Sequence, residues 1–360
     1  MKVGIVLGTR PEIIKNYSIV KAFRSLGVKV YVLHTHQHQS KAMSDAIFAE
    51  MGYEADYALN QSYRLGTAIN WVTDLIKKLH LDLILVNGDT AAAVVGSMAA
   101  MYEGIKIAHV EAGLRSFDPQ MLEERNRIMV DSVSHFLLTY TEFEADYLKT
   151  QSQNRGKVIC VGNTTVDVIS DFSHKFFVPP FKDYAFVTLH RKELTDDASL
   201  LCNVLTTIDN LSSRFSKIIF PIHPRTRDVL ARAKIRFSQF NNIYFCEPFT
   251  AIESLSYIKN ARLIITDSGC VQEEAYLFHV PCVTLRENTE RHLTVQNKAN
   301  IVTGFERNEI LESVDKQLRE GPRIYPDIYG SPGAGMRIVK TLLEELSGED
   351  GLAIESIAGL

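Results

Sequence analysis

Short runs rich in valine, isoleucine, leucine and phenylalanine alternate with helical segments along most of the chain. In the first half these runs predict strands at residues 2–7, 28–33, 81–86, 105–110, 136–140 and 157–161. In the second half they predict strands at residues 184–189, 217–222, 242–245, 262–266 and 281–285. Such strands are typical of parallel sheets. Helices cover both faces of the sheet, so apolar residues do not alternate with polar ones along the strand. The pattern predicts an α/β fold made of two series of βαβ units.

The length of the chain indicates more than one domain. It has 360 residues, whereas single hydrophobic cores stop growing at roughly 250–300 residues. The periodicity is lost over residues 170–183, which include two consecutive prolines. We therefore predict Rossmann-like domains over residues 1–169 and 170–335, and a helix within residues 336–360 that crosses back to the first domain before a loose tail. Open α/β sheets bind ligands at the carboxyl ends of their strands, so the two domains are expected to face each other across a ligand-binding cleft.

Composition excludes several classes of function. The 39 basic and 43 acidic residues give a net charge of −4, which offers no basic field for nucleic acid. No run approaches the roughly 18 apolar residues of a membrane span, and the first apolar run ends at Gly8, too early for a signal peptide. Five scattered cysteines without a CxxC pair suit reduced thiols. We expect a cytoplasmic protein without nucleic-acid or membrane partners.

Cofactor signatures are missing as well. The chain has neither the GxGxxG fingerprint of dinucleotide-binding domains nor the GxxxxGK[ST] of P-loops. His34, His36 and His38 alternate, but a strand end and its loop need not place them on one face with a carboxylate. We therefore predict no metal and no cofactor.

The first predicted strand is followed by Gly8-Thr9-Arg10-Pro11-Glu12, with Lys15 one turn later. A glycine at a strand-to-helix turn lets backbone N–H groups approach a phosphate, and the helix N-terminus adds partial positive charge. Arg10 and Lys15 would supply full charge. The alternative is an ordinary turn with a solvated arginine.

Carboxylates follow two other strands of the first half. Asp89 lies in Asn-Gly-Asp-Thr, and Glu111 begins Glu-Ala-Gly-Leu-Arg, which ends at Arg115. A carboxylate in a cleft can act as an acid or a base when its surroundings raise its pKa. Asp89 could instead cap the next helix. Glu123 opens a further helix four residues before Arg127, where the helix dipole or a surface ion pair also explains the charges.

Histidines and a Ser-Gly turn follow strands of the second half. His190 and His223 each end a strand beside arginines, which favours an anionic ligand. At Ser268-Gly269 a strand ends and a helix begins, an arrangement that cradles phosphate. Glu274, one turn into that helix, could accept both hydroxyls of a ribose.

These strand-end motifs together resemble the non-hydrolysing UDP-N-acetylglucosamine 2-epimerase family. The resemblance extends from about Val3 to Gly304 and rests on GTRPEIIK, NGDT, HVEAGLR, EERNR, LHRKE, TDSGCVQEEA and LRENTER, in the family's order. It implies two Rossmann-like domains of the GT-B type, a UDP-sugar substrate and a homodimer that supplies precursors for surface polysaccharide. It also implies proton-transfer roles for Asp89, Glu111 and Glu123, and the binding roles that follow. His190 would lie near the leaving diphosphate, and Arg10 and Lys15 would lie beside the substrate. Ser268 and Gly269 would bind phosphate, and Glu274 would bind the ribose. The residues that would support these contacts are Arg115, Arg127, Asp267 and Arg286.

The chain departs from the family pattern at several positions. His36 replaces the glycine of a T-G-Q-H run, in a region where some bacterial members have a second, regulatory UDP-sugar site. Glu123 lies two residues closer to EAGLR than in the family, and Cys270 replaces a glycine. The run from His223 to Thr226 is a variant shared with relatives that act on modified UDP-sugars.

We predict reversible C2 epimerisation of UDP-N-acetylglucosamine to UDP-N-acetylmannosamine by elimination and re-addition of UDP. The hydrogen at C2 is hardly acidic. A nicotinamide cofactor could make it more acidic by oxidising C3, but the chain lacks the dinucleotide-binding fingerprint, so elimination is favoured. The alternatives are a 2-epimerase of a modified UDP-2-acetamido sugar (a diacetamido, uronic or deoxy form), a hydrolysing 2-epimerase and a GT-B glycosyltransferase.

Overall fold

The computed structural model of the chain describes residues 1–36, 41–320 and 323–350, with the side chains of residues 41–43 and 348–350 left out. The chain forms two compact units. Unit 1 contains residues 1–171 and the segment from Tyr329 onward, and unit 2 contains Phe172–Ile328. Each unit has its own sheet and its own hydrophobic core.

Unit 1 is built on a seven-stranded parallel sheet in the order β3-β2-β1-β4-β5-β6-β7. The order reverses between β1 and β4, which is the switch point where open α/β sheets bind ligands. The strands are β1 (Lys2–Leu7), β2 (Lys29–His34), β3 (Tyr57–Ala58), β4 (Leu83–Asn87), β5 (Lys106–Val110), β6 (Phe136–Thr139) and β7 (Lys157–Cys160).

Within the described residues, six helices connect these strands and a seventh follows β7. They are α1 (Arg10–Ser25), α2 (Lys41–Met51), α3 (Leu65–Leu79), α4 (Ala91–Tyr102), α5 (Leu122–Val133), α6 (Glu142–Thr150) and α7 (Thr164–Phe172). The alanine-rich helix α4 lies close to the sheet because Gly96 faces it. A Cβ at Gly96 would lie 2.7 Å from Val86 and 3.0 Å from Val6, closer than packed atoms tolerate.

Unit 2 repeats the plan with a six-stranded parallel sheet in the order β10-β9-β8-β11-β12-β13. Its strands are β8 (Tyr184–Thr188), β9 (Lys217–Pro221), β10 (Ile243–Cys246), β11 (Leu263–Thr266), β12 (Cys282–Thr284) and β13 (Asn300–Val302). Its helices are α8 (Lys192–Thr195), α9 (Ala198–Asp209), α10 (Pro224–Arg232), α11 (Ala251–Asn260), α12 (Gly269–Leu277), α13 (His292–Gln296) and α14 (Arg307–Glu320).

The last helix, α15 (Ala334–Asp350), belongs to unit 1 and packs against α1. Gly335 is needed at this contact, because a Cβ there would lie 2.5 Å from the backbone of Ser18. The carboxylate of Asp167 on α7 accepts hydrogen bonds from the backbone N–H groups of Gly333 (2.6 Å), Ala334 (3.0 Å) and Gly335 (2.8 Å). Asp167 therefore caps the start of α15 from a helix that lies far away in sequence.

The predicted α/β fold class is confirmed, and each strand expected from the sequence exists with ends shifted by at most two residues. The structure adds the short edge strands β3 and β13, which the sequence analysis did not predict. No helix in the described part of the chain is long and apolar enough to cross a membrane.

Candidate functional site

The candidate site of unit 1 lies at the carboxyl ends of three adjacent strands. Strand β4 pairs with β1 on one side and with β5 on the other. Arg10 begins the helix after β1, Asp89 follows β4 and Glu111 follows β5. Because the strands are parallel neighbours, three residues widely separated in sequence share one edge of the sheet.

Glu111 is the most constrained member of this group. Glu111 is only 6% exposed. Its Oε2 atom lies 2.6 Å from the Nζ atom of Lys15 and 3.3 Å from the hydroxyl of Tyr140. The backbone of Glu111 has φ +71°, the left-handed region that non-glycine residues rarely adopt. Such strain persists where surrounding contacts fix it, and it is concentrated at functional sites.

Asp89 is more open, and its partner is Arg127 on α5. The side chain of Asp89 is 22% exposed, whereas that of Arg127 is 2% exposed. Asn126 also holds the backbone carbonyl of Asp89 with a 2.8 Å hydrogen bond. Asp89 is not the cap of the next helix, because the hydroxyl of Thr90 accepts the bond from the N–H of Ala92. The capping alternative for Asp89 is therefore wrong.

The two neighbouring acids at the start of α5 differ in their surroundings. Glu124 is buried, and its carboxylate accepts bonds from Ser116 N–H (2.8 Å), Phe117 N–H (3.1 Å) and Arg127 (2.9 Å). Glu123 is half-buried, and no partner for it is found among the residues the structure describes. The alternative of a surface ion pair between Glu123 and Arg127 is wrong, because Arg127 bonds to Glu124 and Asp89 instead.

Two further side chains of unit 1 hold the loops in place. Arg115, predicted to support substrate binding, is buried with its guanidinium 2.6 Å from Asp131. Glu12 bonds to the N–H groups of Gly8 (3.0 Å) and Thr9 (2.8 Å) and to the hydroxyl of Thr90 (2.7 Å), so it joins the loop after β1 to the loop after β4. Burial raises the pKa of Glu12 to about 7. Its Thr-x-x-Glu spacing is a capping-box signature, the signal by which sequence reasoning could have found it.

In unit 2 the two strand-end histidines meet. His190 follows β8 and His223 follows its neighbour β9, and their rings stack with centroids 5.0 Å apart. Asp267, after β11, accepts bonds from the N–H groups of His190 (2.7 Å) and Arg191 (2.8 Å), and its other oxygen lies 3.4 Å from Nδ1 of His190.

Helix α12 begins at this edge of the sheet. Ser268 is its N-cap residue, Gly269 is its first residue and Glu274 is half-buried further along. A Cβ at Gly269 would lie 3.3 Å from the guanidinium of Arg291, so a larger residue would crowd that arginine. The N–H groups and the dipole of a helix start favour phosphate.

Arg286, predicted to contact substrate, lies in an internal ion pair. It is 4% exposed, and its guanidinium bonds to both carboxylate oxygens of Glu290 (2.8 and 3.0 Å) and to Asn288 (3.1 Å). Arg291 pairs with Glu273 at 2.7 Å in the same buried region. Arg286 is thus placed to hold the loop after β12.

The histidines at the end of β2 and just after it show no metal site in the part of the chain that is described. The rings of His34 and His36 lie 4.3 Å apart, and burial lowers the pKa of His34 to about 4. His36, which stands where the family has glycine, keeps a left-handed backbone with φ +50°. His38 lies outside the described residues. No group of three His, Cys, Asp or Glu side chains that could hold a metal ion is found among the residues that are described.

Unit 1 has a parallel sheet whose strand-end carboxylates pair with buried cations. Unit 2 has a second sheet with histidines at its strand ends and a helix start of the kind that binds phosphate. These features together define the class of protein. This is a two-unit α/β enzyme with candidate acid–base residues in one unit and a candidate anion-binding helix start in the other. The particular family follows from comparison with known proteins.

The family model for UDP-N-acetylglucosamine 2-epimerase matches residues 21–343. The chain is 39% identical to UDP-N-acetylglucosamine 2-epimerase of Methanococcus maripaludis, over 96% of this chain and 99% of that protein. It is 32% identical to UDP-2,3-diacetamido-2,3-dideoxy-D-glucuronate 2-epimerase of Pseudomonas aeruginosa, over 95% and 99%. The crystal structure of the Methanocaldococcus jannaschii UDP-GlcNAc 2-epimerase with UDP-GlcNAc and UDP superposes with a TM-score of 0.87 at 35% identity, covering 96% and 100%. The chain belongs to the UDP-N-acetylglucosamine 2-epimerase family.

Proposed function

We propose that this protein interconverts UDP-N-acetylglucosamine and UDP-N-acetylmannosamine by inverting C2. The observation that carries the proposal is the placement of Asp89 and Glu111 after adjacent strands β4 and β5, each with a buried cation as its partner. Inversion requires a base on one face of C2 and an acid on the other. Two carboxylates on neighbouring loops meet that requirement, and the relatives named above act on UDP-sugars of this type.

The reaction proceeds by elimination followed by addition. A carboxylate removes the proton from C2 while the C1–O bond to UDP breaks, which gives 2-acetamidoglucal and free UDP. A second carboxylic acid then protonates C2 from the opposite face, and a UDP oxygen adds back to C1. Bonds and charges balance without an oxidant, so the scheme requires no cofactor.

The proposed roles divide between the site residues of unit 1 and those of unit 2. In unit 1, Asp89 and Glu111 transfer protons, and Glu123 is the third candidate. Arg10 and Lys15 place positive charge beside the substrate, whereas Arg115 and Arg127 hold the loops through Asp131 and Asp89.

Unit 2 binds the UDP group in this proposal. The start of α12 at Ser268 and Gly269 binds the diphosphate, and His190 stabilises it as it leaves. His223 stacks beside His190 and adds to the same anion site. Glu274 binds the ribose hydroxyls, and Arg286 supports the site through the loop after β12.

A modified UDP-sugar is the second candidate substrate. The Pseudomonas aeruginosa relative is named for a UDP-2,3-diacetamido-2,3-dideoxyglucuronate. The run His223-Pro224-Arg225-Thr226 is the variant that is shared with relatives acting on modified UDP-sugars. A second acetamido or carboxylate group would leave the C2 chemistry unchanged.

We also propose a cytoplasmic homodimer that supplies precursors for surface polysaccharide, as the family resemblance implies. Size-exclusion chromatography with light scattering tests the dimer directly.

The decisive experiment is incubation of the purified protein with UDP-N-acetylglucosamine in D2O without added cofactor, followed by proton NMR. Loss of the C2 proton signal together with new UDP-N-acetylmannosamine resonances supports the proposal. Free N-acetylmannosamine and UDP would identify hydrolysis instead. Absence of exchange would contradict this substrate, and the same assay with the diacetamido uronate then tests the second candidate.

Asp89→Asn separates chemistry from binding. The amide keeps the shape of the side chain but cannot exchange a proton in the cycle, so turnover should fall at least about 100-fold, while the Kd for UDP changes little. Calorimetric titration with UDP and the NMR assay measure the two quantities. Asp74→Asn, on the exposed face of α3, is the matched control and should retain both. Wild-type turnover in the Asp89 variant would remove Asp89 from the mechanism.

A further inference from the structure

His109 is a buried histidine that the proposed proton transfers do not use. It lies in β5, is 0% exposed and has partners on both ring nitrogens. Its Nε2 atom lies 2.8 Å from the carbonyl oxygen of Gly88, and its Nδ1 atom lies 2.6 Å from Oδ1 of Asp131.

Both partners of the ring are acceptors. The Oδ2 atom of Asp131 accepts bonds from Arg115 (2.6 Å) and from the N–H of Gly113 (3.2 Å). Burial alone would raise the pKa of Asp131, but the neighbouring His109 and Arg115 charges hold it below its usual value. An imidazole between a carbonyl oxygen and a carboxylate must donate from both nitrogens, which requires the imidazolium form.

The contacts of this buried group reach each loop that carries a proposed acid or base. The Gly88 carbonyl belongs to the peptide group that leads into Asp89. Asp131 holds Gly113 and Arg115, in the loop that begins with Glu111. Asp131 also lies on α5, the helix that carries Arg127, the ion-pair partner of Asp89.

We propose that His109, held as an imidazolium by Asp131, is a positioning residue that fixes the loops of Asp89 and Glu111 at the separation that proton transfer on both faces of C2 requires. This inference rests on the proposed function. A displacement of about 1 Å in a catalytic group can cost about 100-fold in rate, so the connection between the two loops should be visible in the chemical step.

His109→Gln tests the role. A glutamine amide can donate toward one of the two acceptors only, and its oxygen then faces the other acceptor. We expect kcat to fall about 10- to 100-fold while KM for UDP-N-acetylglucosamine stays within about 2-fold. We also expect a larger isotope effect on kcat with substrate deuterated at C2. A lower fraction of folded enzyme would reduce kcat without changing the isotope effect.

His135→Gln is the matched control. His135 is an exposed histidine just before β6 whose ring nitrogen accepts a bond from the N–H of Ile107. This variant should keep the wild-type kcat and isotope effect. A folded His109 variant with wild-type values of both would overturn the proposal.

A second measurement depends on neither a folded His109 variant nor turnover. Histidine labelled with ¹⁵N in the wild-type protein should show, at about pH 8, one ring with both nitrogens protonated. The signal is assigned from its loss in His109→Gln, or from its shift in Asp131→Asn if the first variant does not fold. A neutral ring at His109 overturns this inference alone, whereas an inactive wild-type enzyme contradicts the proposed function.

Discussion

Glu12 shows how one buried side chain can make the stability of unit 1 depend on pH. It is 3% exposed, and burial raises its pKa from 4.5 to about 7. Between these values the folded protein binds a proton that the unfolded chain has lost. The stabilisation is therefore complete below about pH 4.5 and is lost as the pH rises to about 7.

Glu12→Gln should remove this dependence. The amide oxygen can still accept bonds from the N–H groups of Gly8 and Thr9, and its NH2 group can donate to Thr90. Between about pH 5 and pH 8, the wild type should lose ~2–3 kcal/mol more unfolding free energy than the variant. Urea unfolding at the two pH values measures the difference. Glu54→Gln, at an exposed position, should follow the wild type, and equal pH slopes for wild type and Glu12→Gln would contradict the assignment.

The Lys15–Glu111 pair is a second case in which burial sets the size of an effect. Removing one partner of a buried pair leaves an uncompensated charge, which costs about 3–5 kcal/mol. Lys15→Met should therefore destabilise the protein by about 3 kcal/mol. Lys21→Met, on the same helix, breaks an ion pair with Asp171 whose side chains are 60% and 37% exposed, and it should cost less than about 1 kcal/mol. Equal losses of unfolding free energy would show that Glu111 finds another partner or becomes protonated.

Single residues also mark the limit of what the sequence predicts. Asp89 and Glu111 were predicted because they directly follow apolar strands. Asp131 was not predicted, since it lies in the last turn of α5 and contacts His109, which is 22 positions earlier in the chain. That contact depends on how α5 packs on the sheet, which no local pattern reports. The alternative of a Glu123–Arg127 ion pair was wrong for a related reason: the four-residue spacing is real, but Arg127 turns towards Asp89 and Glu124.

At the level of elements, the strands that build both sheets could be predicted from their apolar runs. Buried parallel strands have little polar alternation, so their ends are marked by the first polar residues, and those residues form the candidate site. The edge strands β3 and β13 span only two and three residues. Runs of that length have no periodicity that distinguishes them from loops.

The Asp167 cap of α15 provides a prediction at this scale. Its carboxylate receives three backbone N–H groups, and hydrogen bonds to a charged acceptor contribute about 1.5–3 kcal/mol each before losses elsewhere. Asp167→Ala should lower unfolding free energy by about 2–4 kcal/mol and make α15 more sensitive to protease. Asp171→Ala, on the same helix α7 but in an exposed ion pair, should cost less than about 1 kcal/mol. Thermal unfolding and trypsin digestion compare the two, and an intact α15 in both variants would show that apolar packing alone holds the helix.

At the level of the whole molecule, unit 2 is a continuous segment, whereas unit 1 is completed by the last part of the chain. The side chains of Ile338, Val339 and Leu342 on α15 are 0% exposed. Without α15, the surface of α1 that it covers would be open to water.

Two fragments test this difference. Residues 172–328 contain a complete sheet and core, so this fragment should fold alone with a cooperative thermal transition. Residues 1–171 should not, and addition of residues 329–350 through a flexible linker should restore a cooperative transition. Circular dichroism with heating measures both. A fragment of residues 1–171 that unfolds as sharply as the linked form would show that α15 is dispensable.

The two-part composition of unit 1 has a consequence during synthesis on the ribosome. After residue 171 is added, about 160 residues must be translated before α15 is made, which takes roughly 10–30 s at elongation rates of about 5–20 residues per second. Throughout that interval the nascent first half contains all seven strands of its sheet but lacks the helix that covers α1. We therefore expect unit 2 to complete its fold first, so that the earliest part of the chain to be made is the last to be finished.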